Sequence, residues 1–166
     1  MSQFNYFGSG APSGVSAPAA TVAVYLDTLN SVEYFSTGSG WVPEAGSVVA
    51  KVASLNAAAN NANVLTYTAL AAGVYGVDVY EVSSNTPTAA TLPAVTVVYT
   101  DVDTTGAITD TLADKASVSA ANVTNNGTFL VNVAAGGTIV VATTSYAAGS
   151  GTALTFNIKV RISYKG

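Results

Sequence analysis

Leu154-Thr155-Phe156-Asn157-Ile158-Lys159-Val160-Arg161-Ile162-Ser163-Tyr164 alternates apolar and polar side chains without a break. Successive side chains of a β-strand point to opposite faces. Leu154, Phe156, Ile158, Val160, Ile162 and Tyr164 therefore share one face, and Asn157, Lys159, Arg161 and Ser163 share the other. An apolar stripe of period two is the mark of a half-buried strand.

Upstream, the same period returns in Val74–Val82. Tyr75, Val77, Val79 and Glu81 form its more apolar face and are expected to point inward, opposite Val74, Gly76, Asp78 and Tyr80. Further short runs are Val48–Ala53, Val64–Leu70, Ala94–Tyr99, Ala107–Leu112, Ala116–Val123, Thr128–Val133 and Thr138–Tyr146. Turn chemistry separates them, including Ala71-Ala72-Gly73, Asp101–Gly106, Asn125-Asn126-Gly127 and Ala134–Gly137. Many short β-branched runs with Gly/Asn turns predict an all-β fold, an antiparallel jelly-roll-like sandwich over 47–166. Ser54–Asn63 is rich in Ala but carries four Asn, and a loop or a short helical turn is expected there.

Before the sandwich, Val22, Val24 and Leu26 alternate with Ala23 and Tyr25, Asp27-Thr28-Leu29-Asn30 is a turn, and Val32–Phe35 returns. A glycine turn then leads into Trp41-Val42-Pro43. Residues 21–46 are thus expected to form a small β-hairpin. Residues 1–20 are rich in Gly, Ser, Pro and Ala, which rules out a helix. This segment is expected to be an extended N-terminal arm. Phe4, Tyr6 and Phe7 would anchor it on a partner, with Trp41 covering one end of the hairpin sheet.

Five Lys/Arg and nine Asp/Glu make up 8% of the 166 residues, and His and Cys are absent. A soluble domain averages about 25% charged residues. Charge keeps an exposed surface in water, so a chain this poor in it is expected to have much of its surface covered by other subunits. Of the five cations, Lys51, Lys115, Lys159, Arg161 and Lys165, three crowd the last eight positions, but most of the chain has no patch that would neutralise a phosphate backbone, and no nucleic-acid partner is expected. The apolar runs fall far short of the ~20 residues of a membrane helix, so no membrane partner is expected either. Met1–Gly10 lacks the basic start and apolar run of a secretory leader.

Nucleophilic catalysis by a Ser–His or Cys–His pair is excluded by composition. Asp101-Val102-Asp103-Thr104-Thr105-Gly106 opens like a calcium loop, but the twelfth position is Leu112 where a bidentate Glu is required; an Asp-capped hairpin turn is the expected alternative. Glu33 and Glu44 beside Tyr34 and Trp41 would suit a carbohydrate platform, against hairpin packing. Asp78 and Glu81 fall on opposite strand faces and make no hydrolytic pair. No catalytic residue, metal site or cofactor is expected.

Leu70-Ala71-Ala72-Gly73-Val74-Tyr75-Gly76-Val77-Asp78-Val79-Tyr80 resembles a Gly-aromatic-x-hydrophobic strand of phage-encoded jelly-roll domains. Thr91–Asp103 resembles the strand and acidic turn that follow, Val131–Ile139 the late Gly-Gly hairpin, and Phe156–Tyr164 the closing strand. Val24–Thr28 with Glu33–Pro43 is similar to a hairpin of phage tail and fibre proteins. The resemblance, over about Val64–Lys165, is to virion structural proteins of tailed bacteriophages, decoration (cement) proteins and fibre knobs among them. It implies a jelly roll, a homotrimer, the major capsid protein or other virion proteins as partners, and a place in the virion. The leading expectation is a non-enzymatic capsid decoration subunit that stabilises the shell. A receptor- or glycan-binding knob is the alternative, although a knob is normally carried on a long shaft that these 166 residues do not contain.

Overall fold

The computed structural model describes residues 4–19 and 23–166. Val22 and the first and last residues of the expected arm, Met1–Gln3 and Ala20, lie outside them, as do the side chains of Phe4 and Asn5. Every regular element among the described residues is a strand.

The closing stripe is strand β14 (Phe156–Tyr164) and the Val74–Val82 run is β7 (Gly73–Ser83). They pair antiparallel at the centre of one sheet, flanked by β12 (Thr124–Val133) and β5 (Val48–Ala57), in the order β12-β7-β14-β5. The facing sheet has the order β10-β9-β13-β6, made of β6 (Leu65–Thr68), β9 (Ala94–Thr100), β10 (Ala107–Leu112) and β13 (Thr138–Thr144). The chain crosses between layers so that sequence neighbours seldom pair in one sheet. Eight strands distributed in this way over two four-stranded sheets are a jelly roll. A small ladder, β8 (Ala90–Leu92) with β11 (Lys115–Val118), closes one side.

The inward stripes are those the alternation requires. Phe156, Ile158, Val160 and Ile162 of β14 and Tyr75, Val77 and Val79 of β7 are buried against Val95, Val97, Ile139 and Val141 of the other sheet. Each such side chain contributes about 1.5–3 kcal/mol by leaving water.

Two local expectations are corrected. Ser54–Ala57 extends β5 as a strand, because Leu55, Asn56 and Ala57 pair with Ile158, Asn157 and Phe156. Asn125-Asn126-Gly127 is strand and not turn. It lies inside a ladder that runs from Thr124↔Val82 to Val133↔Gly73, and ten paired residues outweigh a local turn preference. Gly127 faces inward, and Leu112 of β10 occupies the space a side chain would take: a Cβ there would stand 3.1 Å from Leu112 Cδ1.

The hairpin region is larger than its sequence indicated. β2 (Ala23–Asp27), β3 (Val32–Ser36) and β4 (Trp41–Pro43) form an antiparallel meander. β1 (Phe4–Gly8) adds to β2 in parallel, giving a four-stranded sheet. The described part of the expected arm therefore folds onto its own chain.

Candidate functional site

The N-terminal sheet has two unlike faces. On the inner face Tyr25, Tyr34 and Trp41 are buried with Ala23 and Val32, and Tyr6, Ala11, Val15, Ala17 and Leu70 pack against them. The Tyr6 and Trp41 rings meet edge to face at 5.8 Å. Trp41 Nε1 donates to Val15 O at 2.9 Å, and the residue is 5% exposed. Asp27 ties this layer together. Its Oδ1 accepts from the Gly10, Leu29 and Asn30 amides and its Oδ2 from Asn30 Nδ2. Burial pushes its carboxyl up, but these hydrogen bonds, led by those from Asn30, outweigh it and hold the group below its usual range.

On the outer face, Phe7 pairs with Leu26 across β1 and β2, and Phe35 of β3 pairs with Val24 of β2 and Val42 of β4. Phe7 is 80% exposed, Leu29 in the following turn is 69%, and Leu26 and Phe35 are also exposed. The single charge on these strands that shares the face is Glu33, opposite Leu26. The expected site residues thus separate. Tyr6 and Trp41 belong to the interior, Phe7 to the exposed apolar face, and the side chain of Phe4 lies outside the described residues.

Tyr34 and Trp41 are buried, so neither ring is offered beside Glu33 and Glu44 as a carbohydrate platform. Asp101 Oδ1 accepts from the Asp103 and Thr104 amides, so it caps its turn. Those bonds, the Thr104 amide first, hold its carboxyl below the usual range. Among the described residues no group of three or more acidic, His or Cys side chains converges as a metal site.

A second surface lies on the outer face of the β12-β7-β14-β5 sheet. Lys51 pairs with Arg161, Arg161 with Asp78, and Lys159 with Tyr80. Arg161 Nε and Nη2 both donate to Asp78 Oδ2, at 3.0 and 2.7 Å, and Thr128 Oγ1 donates to Asp78 Oδ1 at 2.8 Å. Burial raises the Asp78 carboxyl, but these bonds and the charges of Arg161 and Lys165 more than offset it. Lys159 Nζ sits 5.9 Å from the Tyr80 ring centroid. Between these side chains is a groove of about 290 Å³. β5 carries an extra residue here, since Ile158 pairs with Leu55 but Val160 with Val52. This bulge leaves Ala53 and Ser54 both exposed, with Ala53 on the lining of the groove.

Glu81 is the residue whose consequence the alternation did not convey. It faces inward as expected and is 0% exposed. Asn125 Nδ2 lies 3.4 Å from its Oε2, while Oε1 has no partner. Burial pushes its carboxyl up to about 7, an increase the Asn125 bond only partly offsets. Tyr67 likewise buries an unpartnered hydroxyl. Its ring is 5.8 Å from that of Tyr75, whose hydroxyl donates to Ala71 O.

No protein-family model matches the chain, and no curated protein does so by sequence. Two solved structures are similar to it at 12% identity. The globular domain of zebrafish complement 1qA protein has a TM-score of 0.36, over 61% of this chain and 71% of that one. A CBM4 structure has a TM-score of 0.31, over 93% of this chain and 83% of that one. The jelly-roll assignment stands on the strand order itself.

Proposed function

We propose that this chain is a non-enzymatic assembly subunit, a capsid decoration protein that forms a homotrimer and docks on a virion shell. The observation that carries the reading is the outer face of the N-terminal sheet. Phe7, Leu26 and Phe35 share that face with one charge, Glu33, and exposed Leu29 lies in the adjoining turn, while the inner face of the same sheet is already filled by the chain's own residues. An exposed apolar cluster of large side chains marks an interaction surface. Burying it desolvates little charge, so association costs little on that account. The scarcity of ionic side chains over the whole chain points the same way. The phage shell and the trimer rest on the sequence resemblance.

Deleting 1–20 is a poor test, because it strips Tyr6, Ala11, Val15 and Ala17 from the inner cluster of Tyr25, Tyr34 and Trp41. Phe7→Ser and Phe35→Ser change the outer face alone. Wild-type protein is expected to copurify with capsids at a fixed copy number, and the double variant to stay in the supernatant while folded. Wild-type protein that does not associate with particles, or a double variant that docks equally well, overturns the reading.

A glycan-binding knob is the second reading, favoured by one observation, the groove between Lys51, Tyr80 and Lys159.

A further inference from the structure

We propose that the groove on the outer face of the β12-β7-β14-β5 sheet binds an acidic sugar, with Lys159 and Lys51 holding its carboxylate and Tyr80 lying against the ring. This deepens the glycan-binding reading and rests on it; the assembly reading concerns the other sheet.

The first ground is charge. The chain has five cations and a net charge of −4, yet three of them, Lys51, Lys159 and Arg161, border this one groove, their carbon stems lining it and their charged ends lying outside its apolar floor. Asp78 is the one carboxylate lining it, and Asp78 is held by Arg161. That is the one ion pair among the described residues, so no carboxylate holds Lys51 or Lys159. Two unpaired cations beside a neutralised pair make a local positive field on an acidic protein, which complements an anion.

The second ground is shape and chemistry. The groove holds about 290 Å³, the small end of the roughly 300–1,000 Å³ of ligand sites, and fits a ring-sized ligand. Its cations stand beside an exposed aromatic ring, which offers an apolar body to one side of a ligand while the ammonium groups meet its charge. The pinned Arg161–Asp78–Thr128 network fixes one wall, and the β5 bulge places small Ala53 where a larger residue would fill the space. A compact carboxylate on a sugar ring satisfies all of these together. A bare phosphate would leave Tyr80 unused, and a neutral sugar would leave the two ammonium groups unused.

The test is calorimetry with a panel of uronate- and sialate-bearing oligosaccharides, each matched with its carboxyl-reduced counterpart. At least one acidic member is expected to bind about tenfold tighter than its match, as one charge-assisted hydrogen bond provides. Added salt should weaken that binding. Lys159→Met and Tyr80→Ala should each weaken it about tenfold, and Lys159→Arg should restore part of it. Unchanged melting temperatures would show that these surface variants remain folded. Neutral counterparts binding as tightly as acidic ones, or Lys159→Met binding as wild type, overturns this inference and leaves the glycan reading standing. No binding by any member overturns both.

Discussion

Glu81 makes the stability of this protein depend on pH in a direction opposite to that of most carboxylates. Its side chain is enclosed in the sandwich with one oxygen unpartnered. Folding raises its pKa from an ordinary 4.5 to about 7, burial being the cause. Between those values the folded state keeps a proton that the unfolded chain has released, so stability must fall as pH rises. The contribution is intact below about 4.5, drains away through the interval, and is lost above about 7. The span is worth about 3 kcal/mol. For a domain of this size that is a fall of about 6–12 °C in melting temperature. Asp27 and Asp78, both held below the usual range, titrate at lower pH and act with the opposite sign. The descending limb above pH 4.5 therefore belongs to Glu81. Scanning calorimetry between pH 4.5 and 8 should show that limb in the wild type, and Glu81→Gln should flatten it while keeping a donor and acceptor of the same shape. A wild-type melting temperature that holds or rises over this range would refute the reasoning, as would a Glu81→Gln variant with the wild-type slope.

Tyr67→Phe removes a buried hydroxyl that has no partner. Chemical denaturation should find the variant as stable as the wild type or more stable by about 1 kcal/mol, whereas a loss above 1 kcal/mol would mean the hydroxyl is bonded. Asp27→Ala should cost about 2–3 kcal/mol, because the Gly10, Leu29 and Asn30 amides lose their acceptor. Hydrogen exchange should quicken at those three amides first, and unchanged protection there would show that Asp27 does not tie the N-terminal segment down.

What was legible in the sequence was whatever local alternation encodes. The inward faces of β7 and β14 could be read residue by residue, since a period of two assigns each side chain to a face. What was missed depends on pairing between distant segments. Asn125-Asn126-Gly127 has the composition of a turn, and only the ladder with β7 makes it strand. Phe4–Gly8 sits in a Gly/Ser/Pro-rich segment, and nothing local announces a parallel partner. Lys51 is far from Lys159 and Arg161 in the chain and joins them because β5 lies beside β14. The candidate groove was invisible for that reason. Strand parity separates the aromatic residues expected as partner contacts, sending Tyr6 inward and Phe7 outward.

The measurement that bears most directly on the assembly reading is the solution mass by sedimentation equilibrium, for the wild type and for the Phe7→Ser, Phe35→Ser double variant. The expected value is three times the 16.6 kDa chain mass for both proteins, because the double variant alters the face that docks on the shell and leaves the subunit seam intact. A wild-type protein that stays at a single chain mass at high concentration would contradict it.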